Sequence, residues 1–203
     1  MLMQASKIRV SPADWDLAKD KEIILTKNRV MEGVEAFFKE LGLLFYLKSK
    51  ETFAVLPAPF QTTPKVSKGE KHGGLPWLML DYPRHFSNQE GHFAVRCFFW
   101  WGNHFSIQFH YSGKYVKMGW HVSRLLKTMG WHSGIPSDPW FQSLPGEDWK
   151  PLPEYPEHLD ERKILKAKTA LPLEKMEQAP QFFINKFNEI LQAIESSGQF
   201  PSR

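Results

Sequence analysis

Hydrophobic and polar positions change period several times along this chain, and the strongest pattern lies between His92 and Tyr111, HFAVRCFFWWGNHFSIQFHY. A run rich in Phe, Trp and Val meets Gly102-Asn103, after which Phe105, Ile107, Phe109 and Tyr111 alternate with His104, Ser106, Gln108 and His110. That pattern predicts an antiparallel hairpin joined by a two-residue turn. With Gly102 and Asn103 as the turn, Trp101 faces His104, Phe99 faces Ser106, Cys97 faces Gln108 and Val95 faces His110, all on one side of the sheet. Trp100, Phe98, Arg96 and Ala94 then join Phe105, Ile107, Phe109 and Tyr111 on the other, almost wholly apolar side, because side chains alternate at period two. This second side is expected to be the core. Arg96 interrupts it and needs a carboxylate, carbonyls or an aromatic face, either as a structural ion pair or as an anchor for an anionic group.

Around the hairpin the periodicity predicts further elements. Ser11-Pro12 starts a short helix to about residue 20. From Thr26, the spacing Val30, Val34, Phe37, Phe38, Leu41 predicts a helix that Gly42 ends. LLFYLK and TFAVL then read as a second hairpin, and Pro57 to Gly74, with prolines, lysines and paired glycines, as a loop. A strand follows over Pro76 to Tyr82, with His85 to Gly91 as the connection into the central hairpin. Residues 114 to 129 carry Tyr115, Met118, Val122, Leu125 and Met129 on one side of a helix. Gly134 to Pro156 is an irregular proline-rich stretch that reads as a lid or as a fixed belt. Arg162 to Leu171 alternates into a strand whose Lys166 and Lys168 are expected to face solvent and discourage edge pairing. Phe183, Phe187, Ile190, Leu191 and Ile194 mark a C-terminal amphipathic helix ending near Gly198.

The fold class that follows is α+β: a mainly antiparallel sheet built around a central hairpin, with an N-terminal and a C-terminal amphipathic helix packed on it. Residues 1 to 203 read as a single domain, with 134 to 156 as its irregular segment. One cysteine excludes an internal disulfide and fits a reducing, cytoplasmic setting. No apolar run approaches the ~18 residues needed to span a bilayer, so a soluble protein without a membrane is expected. A net charge of +4 is too mild to imply nucleic acid, and no RNP-like motif accompanies the aromatics.

Candidate chemistry is sparse. The chain has no Walker loop, GxGxxG or GxSxG. Eight histidines show no tight ligand spacing, and His104 and His110, on one strand, stand about 20 Å apart, so neither a metal nor a cofactor is predicted. The repeated Gly119-Trp120-His121 and Gly130-Trp131-His132 read as chance or as two packing anchors. In the expected register Cys97 lies diagonal to His110, within reach for a thiol and imidazole pair, although a cysteine in a Phe-rich strand is more often a small buried hydrophobe.

The sequence therefore points to binding of a small, largely apolar ligand, with one polar or acidic end, on a sheet face lined by Arg96, Cys97, Trp101, His104, Gln108 and His110. An ordinary half-wetted sheet would carry the same pattern. Two alternatives remain: a hydrolase-type enzyme with His and Asp or Glu assembled by the fold, and a protein-interaction or homodimer module.

Overall fold

The computed structural model describes residues 10–140, 149–198 and 200. Helix α1, Pro12–Lys19, starts on a reciprocal cap: the Asp14 amide donates to the Ser11 hydroxyl while the Asp14 carboxylate accepts from the Ser11 amide. Asp20 ends α1 and caps α2, Lys21–Thr52, by accepting from the Glu22 amide.

Helix α2 runs through Gly42, where the sequence pattern places its end. The buried stripe Phe38, Leu41, Phe45 and Ser49 continues at helical spacing into the segment expected to be the first arm of a hairpin. Phe45 lies flat on Phe187, ring centroids 3.8 Å and planes 5° apart. Gly42 serves a close approach: a β-carbon there would meet Pro64 at 2.8 Å and Leu80 at 3.0 Å. The second expected hairpin does not form.

Seven strands make one antiparallel sheet: β1 Lys65–His72, β2 Leu75–Ser87, β3 Gly91–Trp100, β4 His104–Tyr111, β5 His132–Pro136, β6 Trp149–Pro151 and β7 Leu165–Pro172. Their spatial order is β1-β2-β3-β4-β7-β5-β6. Strand β1 occupies part of the expected loop, because pairing with β2 supplies the hydrogen bonds that its Lys-rich sequence does not advertise. β7 has the expected alternation but sits between β4 and β5. Both of its edges are therefore paired, and Lys166 and Lys168 are buried instead of facing solvent.

Helices α2, α3 (Val116–Thr128) and α4 (Ala179–Ser196) cover one face, and the apolar side chains of the strands meet them in one cluster. Phe105 meets Phe183 and Tyr82 meets Phe187. α3 ends at Thr128, so the two Trp-His pairs do not share a helix. Trp120 donates to the Pro153 carbonyl and Trp131 to Glu189, which makes them separate anchors. Of the irregular stretch, 141–148 lies outside the described residues. Trp140 and Tyr155, in that stretch, are more than half exposed.

Candidate functional site

The central hairpin forms, and its turn holds three residues, Trp101, Gly102 and Asn103. The Asn103 amide donates to the Trp100 carbonyl, Gly102 takes a positive φ of 69°, and Trp100 pairs with His104. One extra turn residue slides β3 by one position against β4 and reverses every β3 side chain relative to the expected register. Ala94, Arg96, Phe98 and Trp100 now stand opposite His110, Gln108, Ser106 and His104 on the helix-free face. Phe93, Val95, Cys97 and Phe99 belong to the cluster beneath the helices.

Of the six predicted lining residues, Arg96, His104, Gln108 and His110 converge on one face. Cys97 lies on the opposite face, so the Cys97–His110 pair does not exist, and burial pushes its thiol well above the ordinary range. Trp101 is in the turn, packed towards the helix-side core.

The slip also removes the anomaly of an arginine among core residues. Arg96 faces Asp81 on β2 and grips it through two bonds, Nε to Oδ1 at 2.7 Å and Nη2 to Oδ2 at 3.2 Å. From there a polar row crosses the sheet through paired positions: Asp81, Arg96, Gln108, Lys168, His132. One step along, His110 pairs with Lys166, which pairs with Gly134.

This row is buried. Arg96, Gln108, His110, Lys166 and Lys168 are all under 8% exposed, and Lys166 is fully enclosed. Gln108 Oε1 accepts from Lys166 Nζ at 3.3 Å and lies 3.0 Å from His110 Nε2. Because an amide oxygen only accepts, His110 carries its proton on Nε2. Desolvation first, and then the charges of Lys166 and Arg96, push His110 well below its ordinary value, which keeps the ring neutral near pH 7. Burial pushes Lys166 down to about 7, helped by Arg96 and opposed by Asp138. Lys168 is pushed to about 7 by burial and then by Lys166. Among the described residues no carboxylate lies within salt-bridge distance of Lys166.

Sequence reasoning missed Asp81, Lys166 and Lys168. The signal was present for the lysines, whose alternation with Leu165, Ala167, Thr169 and Leu171 placed them on one face; what could not be read was that β7 has neighbours on both sides.

At the end of the sheet where Gly134 pairs with Lys166, a cavity of about 430 Å³ is lined by Ile135, Pro136 and Pro139, by Lys150 paired with Ile135, and by Arg162, Lys163 and Ile164. Arg162 is held by Asp160, Nε to Oδ1 at 3.0 Å and Nη2 to Oδ2 at 3.2 Å. Lys150 and Lys163 have no carboxylate within salt-bridge distance among the described residues. No group of three or more His, Cys, Asp or Glu among the described residues could hold a metal ion, and no described helix is long and apolar enough to cross a membrane. Comparison of this chain with protein-family models, with characterised proteins and with solved structures finds no match.

Proposed function

We propose that this protein binds a small molecule with an apolar body and one acidic end, seated in the cavity between β5 and the approach to β7. The observation that carries the reading is the pairing of apolar walls, Ile135, Pro136, Pro139 and Ile164, with two lysines, Lys150 and Lys163, that have no described carboxylate within salt-bridge distance, Asp160 acting on Lys163 only from further away. Apolar walls supply affinity by burying hydrocarbon, and a few placed charges fix orientation. A carboxylate or phosphate between the two ammonium groups gains charge-assisted hydrogen bonds that an alcohol or amine of the same length does not.

Calorimetric titration with decanoate, decanol and decylamine tests this. Decanoate is expected to bind, decylamine not to bind, and Lys150→Ala with Lys163→Ala to weaken decanoate by roughly tenfold or more. Equal binding of decanoate and decylamine, or no binding of decanoate, overturns the proposal.

A second reading, self-association, draws on the N-terminal arm. Trp15, Leu17, Ile23, Ile24 and Leu25 are all exposed there, among charges of both signs: Lys19 and Lys21 stand between Asp14, Asp16, Asp20 and Glu22, and Lys27 and Arg29 follow. Two copies laid side by side along this arm would bury the apolar residues. Light scattering on the wild type and on Leu17→Glu with Ile24→Glu tests it: a dimer that the double variant dissociates supports the reading, and a wild-type monomer at high protein concentration removes it.

A further inference from the structure

A second cavity, about 410 Å³, lies where the β2–β3 turn meets the segment after β4, away from the apolar walls just described. Its floor is a tight backbone contact. Gly91 has φ 102° and Gly113 φ 60°, and a β-carbon on either would come within 2.4 Å of the other segment's carbonyl oxygen, Ser112 for the first and Glu90 for the second. The Lys114 amide donates to the Glu90 carbonyl and the Ser112 amide to the His92 carbonyl, which locks the two segments together.

The groups presented over this floor are of mixed hydrogen-bonding sense. The Ser87 oxygen already accepts from the Gln89 and Glu90 amides and the Ser112 oxygen from the His92 amide, which leaves each hydroxyl its proton to donate. The neighbouring Asn88 and Gln89 side chains each offer both a donor and an acceptor. The His92 ring is neutral near pH 7, because burial lowers its pKa, and its Nδ1 is buried with no hydrogen-bond partner among the described residues.

Two exposed aromatic rings contact His92, the lining residue next to them, from outside the lining itself. Phe86, 42% exposed, has its centroid 5.4 Å from that of His92, and Trp140, 53% exposed, 6.1 Å from it. Charge at the cavity disfavours an anion: Arg162, at its border, is engaged by Asp160, and the wall includes Glu161.

We propose that this cavity binds a neutral sugar residue. A sugar ring has apolar C–H faces that pack on exposed aromatic rings, and hydroxyls that each donate and accept at once, which matches amides and hydroxyls better than a field of one sign. The site is distinct from the one proposed for an acidic ligand, although Arg162 borders both cavities.

Backbone and indole resonances of the ¹⁵N-labelled full chain, followed during titration with glucose, N-acetylglucosamine and maltotriose, test the proposal. At least one saccharide is expected to give saturable shifts confined to Asn88, Gln89, His92, Ser112 and the Trp140 indole. The Asn88→Ala, Gln89→Ala double variant, altered only in an exposed turn, is expected to keep a folded spectrum and weaken that binding roughly tenfold. Trp140→Ala is a second such variant and needs no change in the floor. Decanoate, run in parallel, is expected to leave these resonances still, whatever it does at Lys150 and Lys163. Absence of localised shifts with every saccharide, or shifts that both variants leave unchanged, overturns the sugar site and says nothing against the acidic-ligand site.

Discussion

Lys166 Nζ reaches Gln108 Oε1 at 3.3 Å, and that amide oxygen is the ammonium's one hydrogen-bond acceptor among the described residues. An enclosed ammonium with a single neutral acceptor is costly to keep charged. Lys166 and Lys168 both fall from 10.5 to about 7. Between those values the unfolded chain holds protons that the folded chain has released, so stability rises with pH; below about 7 both states hold them and the full penalty of buried charge applies. Urea midpoints are expected to increase from about pH 7, above the histidine range, to about pH 8, below the midpoint of thiolate formation in the unfolded chain, by at least ~1 kcal/mol in unfolding free energy. Lys166→Met is expected to flatten that rise and to stabilise the protein most at the acidic end. An unchanged slope in the variant would show that Lys166 does not carry the effect.

Asp81 is the carboxylate that holds Arg96 in place. Removing it by Asp81→Ala leaves a buried guanidinium, which cannot shed its proton, without its counter-charge, at a cost of about 3–5 kcal/mol. The double variant Asp81→Ala, Arg96→Met is expected to recover most of that loss, measured by chemical denaturation. If the two single changes simply add, the pair is not an interacting unit.

Two glycines in the same helix predict opposite outcomes. Gly33 has open space where a β-carbon would go, so Gly33→Ala is expected to stabilise by about 0.5–1 kcal/mol through helix propensity. Gly42→Ala gains the same propensity but drives a methyl into Pro64 and Leu80, and is expected to destabilise by about 1–3 kcal/mol. Thermal melts of the two variants against wild type settle the signs.

Cys97 is fully buried, and its thiol is pushed up first by desolvation and then by the nearby Asp81 carboxylate. A disulfide reagent at neutral pH is expected to react with it only as fast as the chain opens, and stoichiometrically in denaturant. Rapid modification of the native protein would contradict the register described for the hairpin.

What could be read from the sequence was local. The alternation of β4, the capped start of α1 and the Phe183–Ile194 stripe of α4 are properties of neighbouring residues, and all three stand. The errors came from facts no short window contains. Whether Gly102-Asn103 closes a two- or three-residue turn decides which face receives Arg96 and Cys97, and the composition there suits both. Gly42 looked like a helix terminus because its real neighbours, Pro64 and Leu80, are remote in sequence. Lys166 and Lys168 looked solvated because an edge strand and an interior strand with one polar face share the same alternation. Four of the six expected lining residues still converge, since β4 holds its own pattern whatever β3 does, and Arg96 joined them only through the slip.

The position of β7 orders events during synthesis. A ribosome that has released the chain through Tyr111 has supplied four strands able to pair in sequence, each with the next. β5 and β6 can then pair only with each other, because the strand that joins them to the rest is not yet made. A nascent chain stopped before Leu165 would therefore hold β4 with one side unzipped and a detached two-stranded ribbon, and β7 acts as the closing wedge on which assembly of the whole sheet waits.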